Sequence, residues 1–80
     1  MKPTIGRIVH YRISERAVRP ALIVEVFSEI NGCSNLQVFV DGANDLGPFT
    51  MGECERGLAW RTSVVQGDGI KQWQWPQREP

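Results

Sequence analysis

Two apolar runs on either side of a turn constrain this chain more than any other feature. The first is Ala21-Leu22-Ile23-Val24-Glu25-Val26-Phe27. The second is Asn35-Leu36-Gln37-Val38-Phe39-Val40, closed by Asp41-Gly42. Both are rich in β-branched and aromatic residues, which suit a pleated, half-buried surface. Alternation places Leu22, Val24 and Val26 on one face, and Leu36, Val38 and Val40 on one face of the second run. The link Ser28–Ser34 contains Asn31-Gly32, a strong local turn signal. The pair reads as a β-hairpin at the centre of a small sheet.

The rest of the chain fits around that hairpin. Thr4–Arg12 reads as the first strand, with Ile5, Arg7, Val9 and Tyr11 on one face and Gly6, Ile8, His10 and Arg12 on the other. Both faces carry apolar groups, so this strand is expected to be covered on each side over part of its length. Gly6 inside it suggests a bulge or a close backbone approach. Ile13–Arg19 is polar and is followed by Pro20, which stops any helix, so it reads as an exposed loop. Asp41–Gly57 holds four of the eight glycines together with Pro48 and reads as a long connection pinned by Phe49 and Met51. Leu58–Val65 is a fourth strand. Gln66-Gly67-Asp68-Gly69 is a tight turn, Ile70–Trp75 a last strand and Gln77–Pro80 a tail.

Eighty residues make one domain, 1–80, with a thin core. About five short strands without a helix suit an all-β, SH3-like, partly open barrel of antiparallel strands better than a two-sheet sandwich. An OB-type barrel commonly adds a helix, which this sequence lacks. The 41% apolar and 22% charged content is that of a globular chain. Met1–Thr4 leads into the first strand without the apolar core of an export signal, and no run approaches a membrane span. A cytoplasmic protein with Cys33 and Cys54 as free thiols is therefore expected. A net charge of zero argues against a protein that coats nucleic acid. Seven of the nine basic residues are Arg, the better residue for planar and stacked contacts.

The strands Pro3-Thr4-Ile5-Gly6-Arg7-Ile8-Val9-His10-Tyr11-Arg12, Pro20–Val24, Asn35–Gly42, Thr62–Val64 and Trp73-Gln74-Trp75-Pro76 form a set. Together they resemble a family of small uncharacterised proteins of bacteriophages, prophages and bacteria, which begin with a PxxGRIVHY-like strand and end with a WxWP-like strand. The resemblance runs in order over nearly the whole chain, with a longer insert at Leu46–Leu58. It implies a phage-type origin, a β fold and residence in the host bacterial cytoplasm. It carries over no catalytic residue.

Five side chains are candidates for ligand or partner binding: Arg7, His10, Tyr11, Trp73 and Trp75. Trp73 and Trp75 are two apart on a strand, so their rings share a face. They either form a stacking platform or close the end of a thin barrel. Arg7 and Tyr11 can hold an anion or a flat ring, while His10, the single histidine, lies on the opposite face. His10, Cys33 and Cys54 lack the spacing of a zinc site, and no metal or cofactor is expected. Asp41, Asp45, Glu53 and Glu55 share one loop without the order of a calcium site or the support of a glycosidase pair.

These readings point to a non-enzymatic binding module. Its expected partner is a host or phage protein, such as one in a host defence system. Alternatives are a protein that sequesters a nucleotide-like anion and, against the charge balance, a nucleic-acid accessory protein. Exposed strand edges make a homo-oligomer an expected state.

Overall fold

The computed structural model describes residues 2–41, 54–55 and 57–76. They form one all-β sheet and contain no helix. Six strands occur: β1 (Ile8–Ser14), β2 (Ala17–Val26), β3 (Ser34–Phe39), β4 (Cys54–Glu55), β5 (Leu58–Val64) and β6 (Trp73–Gln74). Their order across the sheet is β4-β5-β3-β2-β1-β6, and every ladder is antiparallel. Without the two-residue β4, the strands β1, β2, β3 and β5 form a four-strand meander and a fifth strand, β6, returns to pair with β1, as in an SH3-like fold.

The sheet curls but does not close. Beyond β5, Gln66 makes an isolated parallel bridge to Trp73. Trp73 N donates to Val65 O (3.1 Å), and Gly67 N donates to Trp73 O (2.8 Å). The two sides of the sheet therefore meet at one end, leaving a partly open barrel.

Three bulges produce the curl. The registers shift at Arg12/Ser14 on β1, at Ile23/Glu25 on β2 and opposite Ser34/Leu36 on β5. An extra residue on one strand of a pair bends that strand and increases its twist. At β2 the extra residue also reverses the alternation. Ala21 and Ile23 are buried, Val24 is exposed, and Val26 packs against the core again. The expectation that Leu22, Val24 and Val26 share one face is thereby corrected. On β3 the alternation holds: Leu36 and Val38 are fully buried and Val40 packs against them. On β5 the bulge places Ser63 at φ 54, and its N donates to Asn35 Oδ1 (3.1 Å).

Other boundaries move too. The first strand starts at Ile8, because Ile5-Gly6 is a turn with Gly6 at φ 90. Gly6 N donates to Ile23 O (2.8 Å), and Ile23 N donates to Arg7 O (3.0 Å). The loop expected over Ile13–Arg19 shrinks to the turn Glu15-Arg16, and Ala17–Arg19 belongs to β2. Pro20 is tolerated because β3 pairs with β2 only from Ala21 onward. The connection expected over Asp41–Gly57 contains β4, which pairs Cys54 with Ala59 and Glu55 with Leu58. Its remaining calls, Asp45, Phe49, Met51 and Glu53 among them, lie outside the described residues, as does the tail Gln77–Pro80. The last strand shortens to Trp73–Gln74, since Ile70-Lys71 is a turn.

Inside the curl, Val9, Tyr11, Ile13, Ala21, Ile23, Leu36, Val38, Ala59, Val64 and Trp73 form the core. The turn before β6 offers a stability test. Lys71 is exposed at φ 65, and its N donates to Arg12 O (2.8 Å). Lys71→Gly keeps that bond and removes the left-handed strain. It is expected to stabilise the fold by about 0.5–1 kcal/mol, visible as a melting temperature raised by several degrees.

Candidate functional site

The β1–β6 ladder decides where three of the five candidate side chains go. It pairs Tyr11 with Trp73 and His10 with Gln74. Directly opposed residues point to the same side of a sheet, so Tyr11 and Trp73 both turn into the core. Trp73 is 0% exposed and Tyr11 2%. The phenol of Tyr11 reaches the rim, where its oxygen accepts a hydrogen bond from Arg61 Nε (3.2 Å). Trp73 Nε1 donates to Gly32 O (2.8 Å). Neither ring presents a face to solvent, so both close the barrel.

Trp75 continues past β6 and is half-buried. It meets Trp73 edge to face, with centroids 5.2 Å apart and planes at 86°. The guanidinium of Arg7 lies 5.4 Å above the Trp75 ring. The structure thus brings Arg7, Trp75, Trp73 and Tyr11 together in a series running from solvent into the core. His10 stands apart on the outer face, with Pro20 and Gln74 as its ladder neighbours.

One open cleft of about 300 Å³ lies between Pro3–Ile5 and Glu25–Glu29. Another, of about 400 Å³, lies between Arg12, Glu15 and the turn at Asp68–Ile70. Among the described residues, no three His, Cys, Asp or Glu side chains gather closely enough to hold a metal ion.

The most distinctive surface was not singled out by sequence. On the outside of the sheet, the ladders align Ile8 with Leu22, Leu22 with Gln37, and Gln37 with Trp60. A row thus crosses four strands, with Phe39 and Leu58 paired beside it. Ile8 is 60% exposed, Trp60 45%, and Phe39 and Leu58 41% each. Gln37, the polar member of the row, donates its Nε2 to Ala59 O (3.1 Å), which folds its amide onto the sheet. Ile8, Leu22, Gln37 and Trp60 are uncharged, as are His10, Pro20, Phe39 and Leu58, while exposed Glu25 follows Val24 and Glu55 pairs with Leu58. One signal for this surface existed in the sequence: β1 is apolar on both faces. Among the described residues, only the inner one is covered.

Compared with known proteins, the chain matches no family model, no curated protein and no solved structure. No helix among the described residues is long and apolar enough to cross a membrane.

Proposed function

We propose that this chain is a non-enzymatic binding module that acts by protein–protein contact through the outer face of its sheet. The observation that carries this reading is the uncharged row Ile8–Leu22–Gln37–Trp60, flanked by exposed Phe39 and Leu58. Scattered surface hydrophobics are ordinary, but the exposure of Ile8, Phe39, Leu58 and Trp60 together on one outer face supports a contact site. Trp and Phe are also residue types that dominate contact energies when a partner desolvates them. The resemblance of the end strands to phage and prophage proteins supports a host protein as one class of partner. The test is capture of proteins by the full-length chain, immobilised beside its Trp60→Lys variant. Retention by the parent alone supports the reading, and equal retention by both removes the outer face from it.

A second reading rests on the Arg7–Trp75 pair. An arginine beside an indole is the kind of arrangement that holds an anion or a flat ring, such as a nucleotide. It requires a rise in melting temperature with one nucleotide class, lost in Trp75→Ala.

A further inference from the structure

We propose that Asn31 is a site of spontaneous covalent modification, at which the folded chain converts its own asparagine to aspartyl and isoaspartyl forms. The isoaspartyl form loosens the closure of the barrel.

Asn31-Gly32 lies in the link between β2 and β3. In the reaction, the main-chain N of Gly32 gives its proton to solvent base and attacks Cγ of the Asn31 side chain. A bond forms between that N and Cγ, the bond from Cγ to Nδ2 breaks, and Nδ2 leaves as ammonia with a proton from water. Water then adds to either carbonyl of the cyclic imide and opens it. One opening gives aspartate in the ordinary chain. The other routes the main chain through Cβ and Cγ. Water is the only co-reactant, and nothing is oxidised or reduced.

Three features of the turn favour the attack. Gly32 has no Cβ to crowd the ring as it forms, and its φ of 72 belongs to the left-handed region. Its N donates no hydrogen bond among the described residues, so the nucleophile gives up no partner. Asn31 is exposed, and its Oδ1 accepts from Cys33 N (3.0 Å). Negative charge develops on that oxygen as Cγ becomes tetrahedral, and an N–H already fixed against it serves as an oxyanion donor. Burial of Gly32 against Gln66 and Trp73 works the other way, by limiting the access of solvent base.

The two products differ in what they do to the fold. Asn31 O accepts from Gln66 N (2.9 Å), and Gly32 O accepts from Trp73 Nε1 (2.8 Å). These consecutive carbonyls tie the link to the chain beyond β5 and to β6. The aspartyl product keeps both, and keeps a side-chain oxygen for Cys33 N. The isoaspartyl product turns the Asn31 main-chain carbonyl into a pendant carboxylate and adds one carbon to the main chain ahead of Gly32. The two carbonyls then lose their common register, and the buried indole N–H loses its acceptor.

The test keeps the full-length chain in neutral buffer at physiological temperature for weeks, with a parallel sample in urea. Mass spectrometry of the peptide spanning Asn31, with electron-transfer fragmentation, reads the change from amide to acid and separates isoaspartyl from aspartyl. Asn35 is the internal control. Its Oδ1 also accepts from a main-chain N–H, that of Ser63 (3.1 Å), but Leu36 follows it. Asn31 in the folded chain is expected to convert about tenfold faster than Asn35, because the side chain of Leu36 crowds ring closure. Ion exchange separates the aged forms. The aspartyl form and a directly made Asn31→Asp variant are expected to melt with the parent, and the isoaspartyl form several degrees lower. Asn31→Ser keeps an oxygen for Cys33 N but cannot cyclise, and is expected to stay a single species.

An Asn31 that stays intact in the folded sample while it converts in urea overturns the proposal, because burial of Gly32 then protects the turn. Equal rates at Asn31 and Asn35 overturn it as well. An isoaspartyl form that melts with the parent overturns the link to barrel closure.

Discussion

Trp73→Ala is expected to remove a large share of the fold's stability. The indole is completely buried against Tyr11 and the rest of the core. It is also the member of the short β6 that holds this edge to the chain beyond β5, through Val65 and Gly67. Deleting a buried Trp side chain costs about 3–5 kcal/mol through lost transfer energy and the cavity left behind. A domain of this length has a total stability of roughly 4–12 kcal/mol, so one substitution removes a large share of it. Trp73→Phe separates the two roles of the ring. Phe retains most of the volume and loses the Nε1 donor. Gly32 O then still accepts from Ser34 Oγ (2.8 Å), so no buried acceptor is orphaned, and the expected cost is about 1–2 kcal/mol. Urea unfolding reads both from the shift in midpoint at constant slope. A loss below 1 kcal/mol for Trp73→Ala would place the ring outside the core. The result also bears on function: a binding defect in Trp73→Ala reports lost structure, whereas one in Trp75→Ala or Trp60→Glu reports lost contact.

The same distinction explains how much of this molecule was legible beforehand. The hairpin and the all-β class were, because alternation and the Asn31-Gly32 turn are local signals. The face assignment of β2 was not. The bulge at Val24 swaps inside for outside in mid-strand, and no residue type there announces it. Pro20 was misleading for a related reason. It is a helix terminator in sequence, but whether it can sit in a strand depends on where β3 stops pairing. Among the candidate site residues, the shared face of Trp73 and Trp75 followed from spacing alone. Which ring faces solvent depends on what lies across the ladder. Trp73 sits opposite Tyr11, deep in the curl, while Trp75 has passed the end of β6 and meets Arg7. The outer row escaped notice because its members lie far apart in sequence, at Ile8, Leu22, Gln37 and Trp60. Only the registers of three ladders bring them into line.

Gly32→Ala is expected to destabilise the fold by several kcal/mol, whereas Gly6→Ala, at a similar backbone conformation, should cost only about 1–2 kcal/mol. Both glycines have positive φ, 72 at Gly32 and 90 at Gly6. Either substitution therefore carries the strain of a left-handed L-residue. Their surroundings differ. A Cβ at Gly6 meets nothing within 4 Å. A Cβ at Gly32 would lie 2.7 Å from Gln66 Cβ and 2.8 Å from Trp73 Cζ2, both part of the closure of the barrel. Relief requires the 28–33 turn to move away from β6. Gly32 O accepts from both Trp73 Nε1 and Ser34 Oγ, so that movement breaks the two bonds that satisfy these buried groups. Overpacking adds about 1–3 kcal/mol to the conformational strain, and an unsatisfied indole N–H adds further loss. Equilibrium unfolding of the two variants measures the difference directly. Equal costs would mean that φ alone governs both sites and that the turn is not wedged against Trp73. A much larger cost at Gly32 would make the hairpin turn and the last strand one cooperative unit, joined across 41 residues of chain by a single carbonyl.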